Sequence, residues 1–119
     1  MMHQNGIKKL NKRSSHRKAL IRNQAITFIL HGSLTTTKVR VKEVRRFVEK
    51  MVTLARTGNT FNARRRAKAL LPYKEEALVK LFTEIAPCYV DRPGGYTRIL
   101  SLGRRVSDTA DMARLEWVA

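Results

Sequence analysis

The chain has 119 residues, 43% of them hydrophobic, with 25 Lys and Arg against 9 Asp and Glu for a formal net charge of +16. That hydrophobic share excludes wholesale disorder, and the length suits one domain with a modest core. The charge excludes a protein that works without an anionic partner, because a body this small would repel itself unless a polyanion neutralised it. Nucleic acid is the leading anionic partner, ahead of an anionic membrane surface or acidic proteins; no run reaches the roughly 18 apolar residues of a membrane span, and no membrane partner is expected. AITFIL is short, follows a basic segment and lacks a small-residue cleavage site, so no secretory leader is expected either. The single cysteine, Cys88, has no intramolecular disulfide partner and fits a reducing, cytoplasmic compartment.

Charge is also unevenly placed. Met1 to Lys42 contains ten basic residues and no Asp or Glu, giving +10, whereas residues 43–119 give +6 from 15 basic and 9 acidic groups. Residues 1–13 read as a basic tail, with Ile7 and Leu10 as its apolar anchors, expected to order only against phosphates. Residues 14–119 read as a single domain. Its first helix is expected to start on a Ser14 or Ser15 cap and end at Gly32, with Ile21, Ala25, Phe28 and Ile29 facing the core. Lys18 and Arg22 lie in the more polar first half. SLTTT, Ser33 to Thr37, is β-branched and predicts a brief strand.

A second helix follows a Thr36 or Thr37 cap. Val41, Val44, Val48, Met51 and Ala55 repeat at helical spacing, and the opposite face carries Lys42, Arg45, Arg46, Glu49, Lys50 and Arg56. Gly58 ends it. A third helix is predicted from Thr60 to Leu71, stopped by Pro72 and carrying Arg64, Arg65, Arg66 and Lys68. The fourth has Ala77, Leu78, Leu81, Phe82 and Ile85 as its stripe and Pro87 as its expected stop. Asp91 to Gly95, DRPGG, is a turn, and the remainder predicts two strands joined by a charged loop around Gly103 to Asp111. The pattern is α+β, a small sheet with about four helices on one side.

The search for chemistry is mostly negative. His3, His16 and His31 with Cys88 do not supply the clustered ligands of a zinc site. Cys88 reads as a partly buried structural thiol. Asp108 and Asp111 are expected to cap a turn and offset Arg104 and Arg105; their rival role is a metal-dependent nuclease pair. Neither phosphate-cradling glycine motif is present. No enzyme, cofactor or small-molecule substrate is expected.

The positive signal is basic clustering in three places. The first is the tail with helix one, where Lys8, Lys9, Lys12, Arg13, Arg17, Lys18 and Arg22 fall. The second is the polar face of helix two, and the third is Arg64, Arg65 and Arg66. Three clusters with few acids point to phosphate, and arginine forks suit phosphates and splayed bases. Asn23, Thr35, Thr36 and Tyr96 are candidates for sugar and phosphate hydrogen bonds, or equally for caps and strand positions. Spread charge favours RNA over a single DNA groove. A basic DNA-binding regulator or nucleoid protein, with a turn near Pro72, is the alternative.

KLNKRSSHRKALIRN, LTTTKVRVKEVRRFVEKMVTLAR and LFTEIAPCYVDRPGGYTRIL, in this order, resemble the bacterial-type large-subunit ribosomal protein seventeen family, from about Lys9 to Val118. The resemblance implies a structural constituent of the large ribosomal subunit that binds the large (23S-type) ribosomal RNA. It implies a place on the solvent side near the nascent-chain tunnel exit, beside other large-subunit ribosomal proteins, and no cofactor. It implies helices on a three-stranded mixed sheet. Lys12, Arg13, His16, Arg17, Arg22 and Asn23 match the family's RNA-contacting segment. Thr35, Thr36, Lys38, Lys42, Arg45 and Arg46 match its threonine-rich turn and basic helix, and Tyr96 and Arg98 its glycine-turn motif. Met2 and Gln4 stand where the family carries arginines, so weaker anchoring of the tip is expected. A bacterial or organelle-encoded ribosome is expected, since no transit-type leader is recognisable.

Overall fold

The computed structural model describes Leu10 and residues 12–72 and 74–118. Lys8, Lys9, Met2 and Gln4, and with them most of the basic tail, lie outside the described residues.

The first helix, α1, spans Ser14–His31 and ends as the sequence suggests. Gly32 takes a left-handed φ of 83° and returns its N–H to the Phe28 carbonyl, at a position where a side chain would be strained. Its start differs from expectation. Arg13 is the N-cap residue and no side chain caps the helix, so the Ser14 and Ser15 hydroxyls are not used this way. β1 (Ser33–Thr37) follows at once, then α2 (Lys38–Ala55), whose N-cap Thr37 also makes no side-chain cap bond. Val41, Val44, Val48, Met51 and Ala55 are all buried, as their spacing requires. α3 (Phe61–Leu70) does have a side-chain cap, with the Ala63 N–H donating to Thr60 Oγ1 at 3.2 Å.

The fourth helix, α4, covers Glu75–Lys80 and does not stop at Pro87. It widens into a π turn at Leu81–Ile85 and tightens into a 3₁₀ turn at Ala86–Tyr89. Pro87 has no N–H to return to the preceding turn. The Ala86 N–H instead reaches back to the Leu81 carbonyl, a π register that lets the rod continue through the proline. Leu81, Phe82 and Ile85 all remain buried.

β2 (Thr97–Arg104) and β3 (Asp111–Trp117) form a hairpin, with a bulge between Ser101 and Gly103 and a left-handed φ of 88° at Gly103. The strand order is β1-β3-β2, and both pairings are antiparallel. The sheet is therefore not mixed, contrary to what the resemblance implied. β1 and β2 do run in the same direction. The hairpin, however, lays β3 between them, so no parallel pair forms. Leu34, Leu115 and Ile99 share one row and face the helices, while Thr35, Arg114 and Leu100 share the adjacent row on the outer face.

One cluster of buried side chains ties α1, α2, α3, α4 and the inner sheet face together. Its aromatic part is specific. Phe28 stacks on Trp117 with ring centroids 4.4 Å apart, and Tyr89 lies 5.3 Å from Tyr96. Tyr89 also donates to the Val118 carbonyl at 2.6 Å, fastening the end of the chain to the helical rod. Each such ring pair adds about 0.5–1.5 kcal/mol beyond its area.

Candidate nucleic-acid interface

The first half of α1 lies at the margin of this core, with Ile21 packed against it. No residue from Ser14 to Gln24 is buried, whereas Ala25, Ile26, Phe28 and Ile29 all are. An 18-residue helix is about 27 Å long, so well over half of it forms an arm with one polar side open to solvent and Ile21 held against the core. Along the arm Arg13, His16, Lys18 and Asn23 are exposed, and Lys12, Arg17 and Arg22 are half-buried.

Helix starts sharpen the point. The positive end of a helix dipole normally attracts Asp or Glu and disfavours cations, by about 0.3–1 kcal/mol for each. α1, α2 and α3 have no acidic residue in the first turn. The first turn of α1 carries His16 and Arg17, and that of α2 carries Lys38 and Arg40. Neither start has a capping side chain, so both leave backbone donors for an outside acceptor. An anion at these ends satisfies donors and charge together. α4 is arranged the ordinary way, with Glu75 and Glu76 first and Lys80 last.

On α2, Lys42 and Arg46 are exposed and Lys38 is half-buried. On α3 the buried Ala63 and Ala67 turn Arg64, Arg65 and Arg66 to solvent, and all three are exposed. Residues 50–74 form a second segment without Asp or Glu, which was not singled out from the sequence. Thr35 is exposed on the outer sheet face opposite Arg114, while Thr36 is half-buried opposite Ala113.

Two predicted contacts carry structural bonds of their own. Tyr96 has no exposed area, so it cannot offer its ring or hydroxyl to a nucleic acid. Its hydroxyl lies 3.1 Å from Thr53 Oγ1 and accepts from Arg56 at 3.2 Å. Burial would raise the phenol pKa, but the hydrogen bonds with Thr53 and Arg56 and the Arg56 charge outweigh it, and the net shift is downward. Arg56 also donates to the Arg92 carbonyl, so the glycine-turn motif is a latch between α2 and β2. Arg45 belongs to the same latch. It donates to the Thr97 carbonyl at 3.3 Å and lies 3.7 Å from Glu49, whose Oε2 accepts from both the N–H and the hydroxyl of Thr97. Arg98 is exposed, with Glu116 at 3.9 Å across the strand pair.

The hairpin loop carries the two aspartates. Arg105 donates twice to Asp108, at 2.9 and 2.6 Å, and Ala110 N–H adds a third bond, which holds the Asp108 carboxyl down to about 2. Asp111 lies 3.6 Å from Arg104. Both aspartates are thus occupied by arginines, as turn and ion-pair residues. Cys88 is exposed rather than partly buried, with its thiol donating to the Glu84 carbonyl at 3.3 Å. Among the described residues no three His, Cys, Asp or Glu gather as metal ligands, and no helix is long and apolar enough to cross a membrane. A helix-turn-helix reader is also disfavoured, because α4, which would enter the groove, opens on two glutamates that DNA phosphates repel.

With this geometry in place, the sequence matches the family model for ribosomal protein L17 over residues 20–118. The chain belongs to the ribosomal protein L17 family. Relatives named large ribosomal subunit protein bL17 span nearly its whole length. That of Gemmatimonas aurantiaca is 48% identical over 118 residues, covering 99% of this chain and 98% of the relative. That of Helicobacter acinonychis is 48% identical with 99% and 100% covered, and that of Borrelia hermsii 44% identical with 95% and 90% covered. The chain is therefore a structural, non-enzymatic constituent of the large ribosomal subunit, and it takes part in translation in the cytoplasm. There it sits with ribosomal RNA and other ribosomal proteins.

Proposed function

We propose that the chain binds the large (23S-type) ribosomal RNA directly, near the nascent-chain tunnel exit, beside neighbouring large-subunit proteins. The observation that carries this is the α1 arm, a basic helix half at the margin of the core that has no acid in its own sequence to neutralise it. Its uncapped start receives phosphate, and Arg13, His16, Arg17, Lys18, Arg22 and Asn23 follow the RNA backbone. The exposed cations of α2 and α3 neutralise phosphates that approach from other sides, with residues 1–13 threading between RNA helices and residues 14–119 acting as one platform. The sheet and the latch hold these surfaces at fixed separations.

The test starts from large subunits washed in high salt, with the chain quantified by mass spectrometry and a photo-crosslinker placed at Lys18. About one copy per subunit, crosslinked to large-subunit RNA at the rim of the tunnel exit, is the expected result. A chain that washes free, or a crosslink only to protein, would overturn the reading.

A further inference from the structure

The α3 surface carries one side chain that phosphate neutralisation does not use. Phe61 opens α3 and is 70% exposed. Every other aromatic side chain among the described residues is buried or half-buried. Burial would stabilise a phenyl ring, so its place in solvent needs another reason. The ring is not isolated. Arg65, one helical turn on, sets its guanidinium carbon 6.0 Å from the Phe61 ring centroid. Arg64 and Arg66 are exposed beside it, and no Asp or Glu occurs between Lys50 and Lys74. Glu75 of α4 reaches only Lys68 here, at 3.4 Å, so an apolar protein partner would have to accept a predominantly positive field. A nucleobase brings both a π face for the ring and a phosphate for the arginines.

We propose that Phe61 and Arg65 form a stacking platform for an unpaired base of the large ribosomal RNA. This rests on the RNA-binding reading above and adds a contact of a different kind, one that selects a flipped-out base rather than a backbone path. The helix start places the ring at the edge of the basic surface, and Arg65 closes one side of it.

The experiment compares chemical probing of the bases in large subunits carrying wild-type chain, Phe61→Ala, Phe61→Leu or Phe61→Trp. Because the ring is exposed, all four proteins keep the same melting midpoint. One or two unpaired bases protected in wild-type subunits are expected to become about fivefold or more reactive with Phe61→Ala. Phe61→Trp restores protection and Phe61→Leu does not. Unchanged reactivity in Phe61→Ala subunits that retain the chain, or equal protection by Phe61→Leu, would overturn the platform while leaving RNA binding intact. A wild-type chain that does not stay with the subunit would sink both.

Discussion

The chain uses arginine in two opposite ways, and the latch and the α3 surface show the contrast side by side. In the latch, Arg45 and Arg56 end on the carbonyls of Thr97 and Arg92 and on the Tyr96 hydroxyl, and both are half-buried. On α3, Arg64, Arg65 and Arg66 lie on an exposed face in a segment free of acids. Counting charges along the sequence cannot separate these groups. What separates them is whether the fold brings acceptors to the guanidinium, as it does where α2 meets the glycine turn and β2. The α1 arm belongs with α3, and α4, with its glutamates first and lysine last, stands apart from both.

Removing the ring from the latch should do the most damage. Tyr96→Ala is expected to cost about 3–5 kcal/mol through the cavity it leaves, read as a lower denaturant midpoint. An unchanged midpoint would show that the motif is not holding the fold. On the other side of the comparison, Arg13→Gln, Arg17→Gln and Lys18→Gln together should leave the midpoint within about 0.5 kcal/mol of wild type. The same triple variant should wash off large subunits at lower salt, and full retention would remove the arm from the interface. Glu49→Gln is a milder test of the latch. Exchanging a charged acceptor for a neutral one at Thr97 should cost about 1 kcal/mol, with RNA affinity unaffected.

The smallest effect expected is in acid. Asp108 is held at about 2 by Arg105, so its contribution is present above the ordinary aspartate range and fades as pH falls from about 4 to 2. Both partners are exposed, so a pH melt should show only a slight difference between wild type and Asp108→Asn across that window.

Much of this was legible in the sequence wherever periodicity was long and clean. The stripes of α2 and α4 name buried residues throughout, and Gly32 marks a true helix end. Capping was less legible, because serines and threonines near a helix start need not bond to it. Only Thr60 does so among those proposed as caps or helix starts. Pro87 misled because a π turn, invisible to periodicity, absorbs the missing donor. Tyr96 misled for a tertiary reason, since Thr53, Arg56 and Tyr89 meet it only once the sheet has closed on α2. The antiparallel sheet follows from one placement, β3 between β1 and β2, which strand propensity does not encode. Phe61 had a signal in hand, an aromatic residue three positions before an arginine run in an acid-free segment, but its exposure had to be seen.

The central claim is that exposed cations bind RNA while latch arginines and their partners hold the fold. It is tested most directly by measuring RNA affinity against salt and thermal stability together, on two variants. For Arg64→Gln, Arg65→Gln, Arg66→Gln the account predicts a log–log salt slope shallower by about 2–3 on large-subunit RNA, at an unchanged melting midpoint. For Tyr96→Phe it predicts the reverse, a lower midpoint at an unchanged slope. A slope that moves with Tyr96, or fails to move with the α3 arginines, would contradict it.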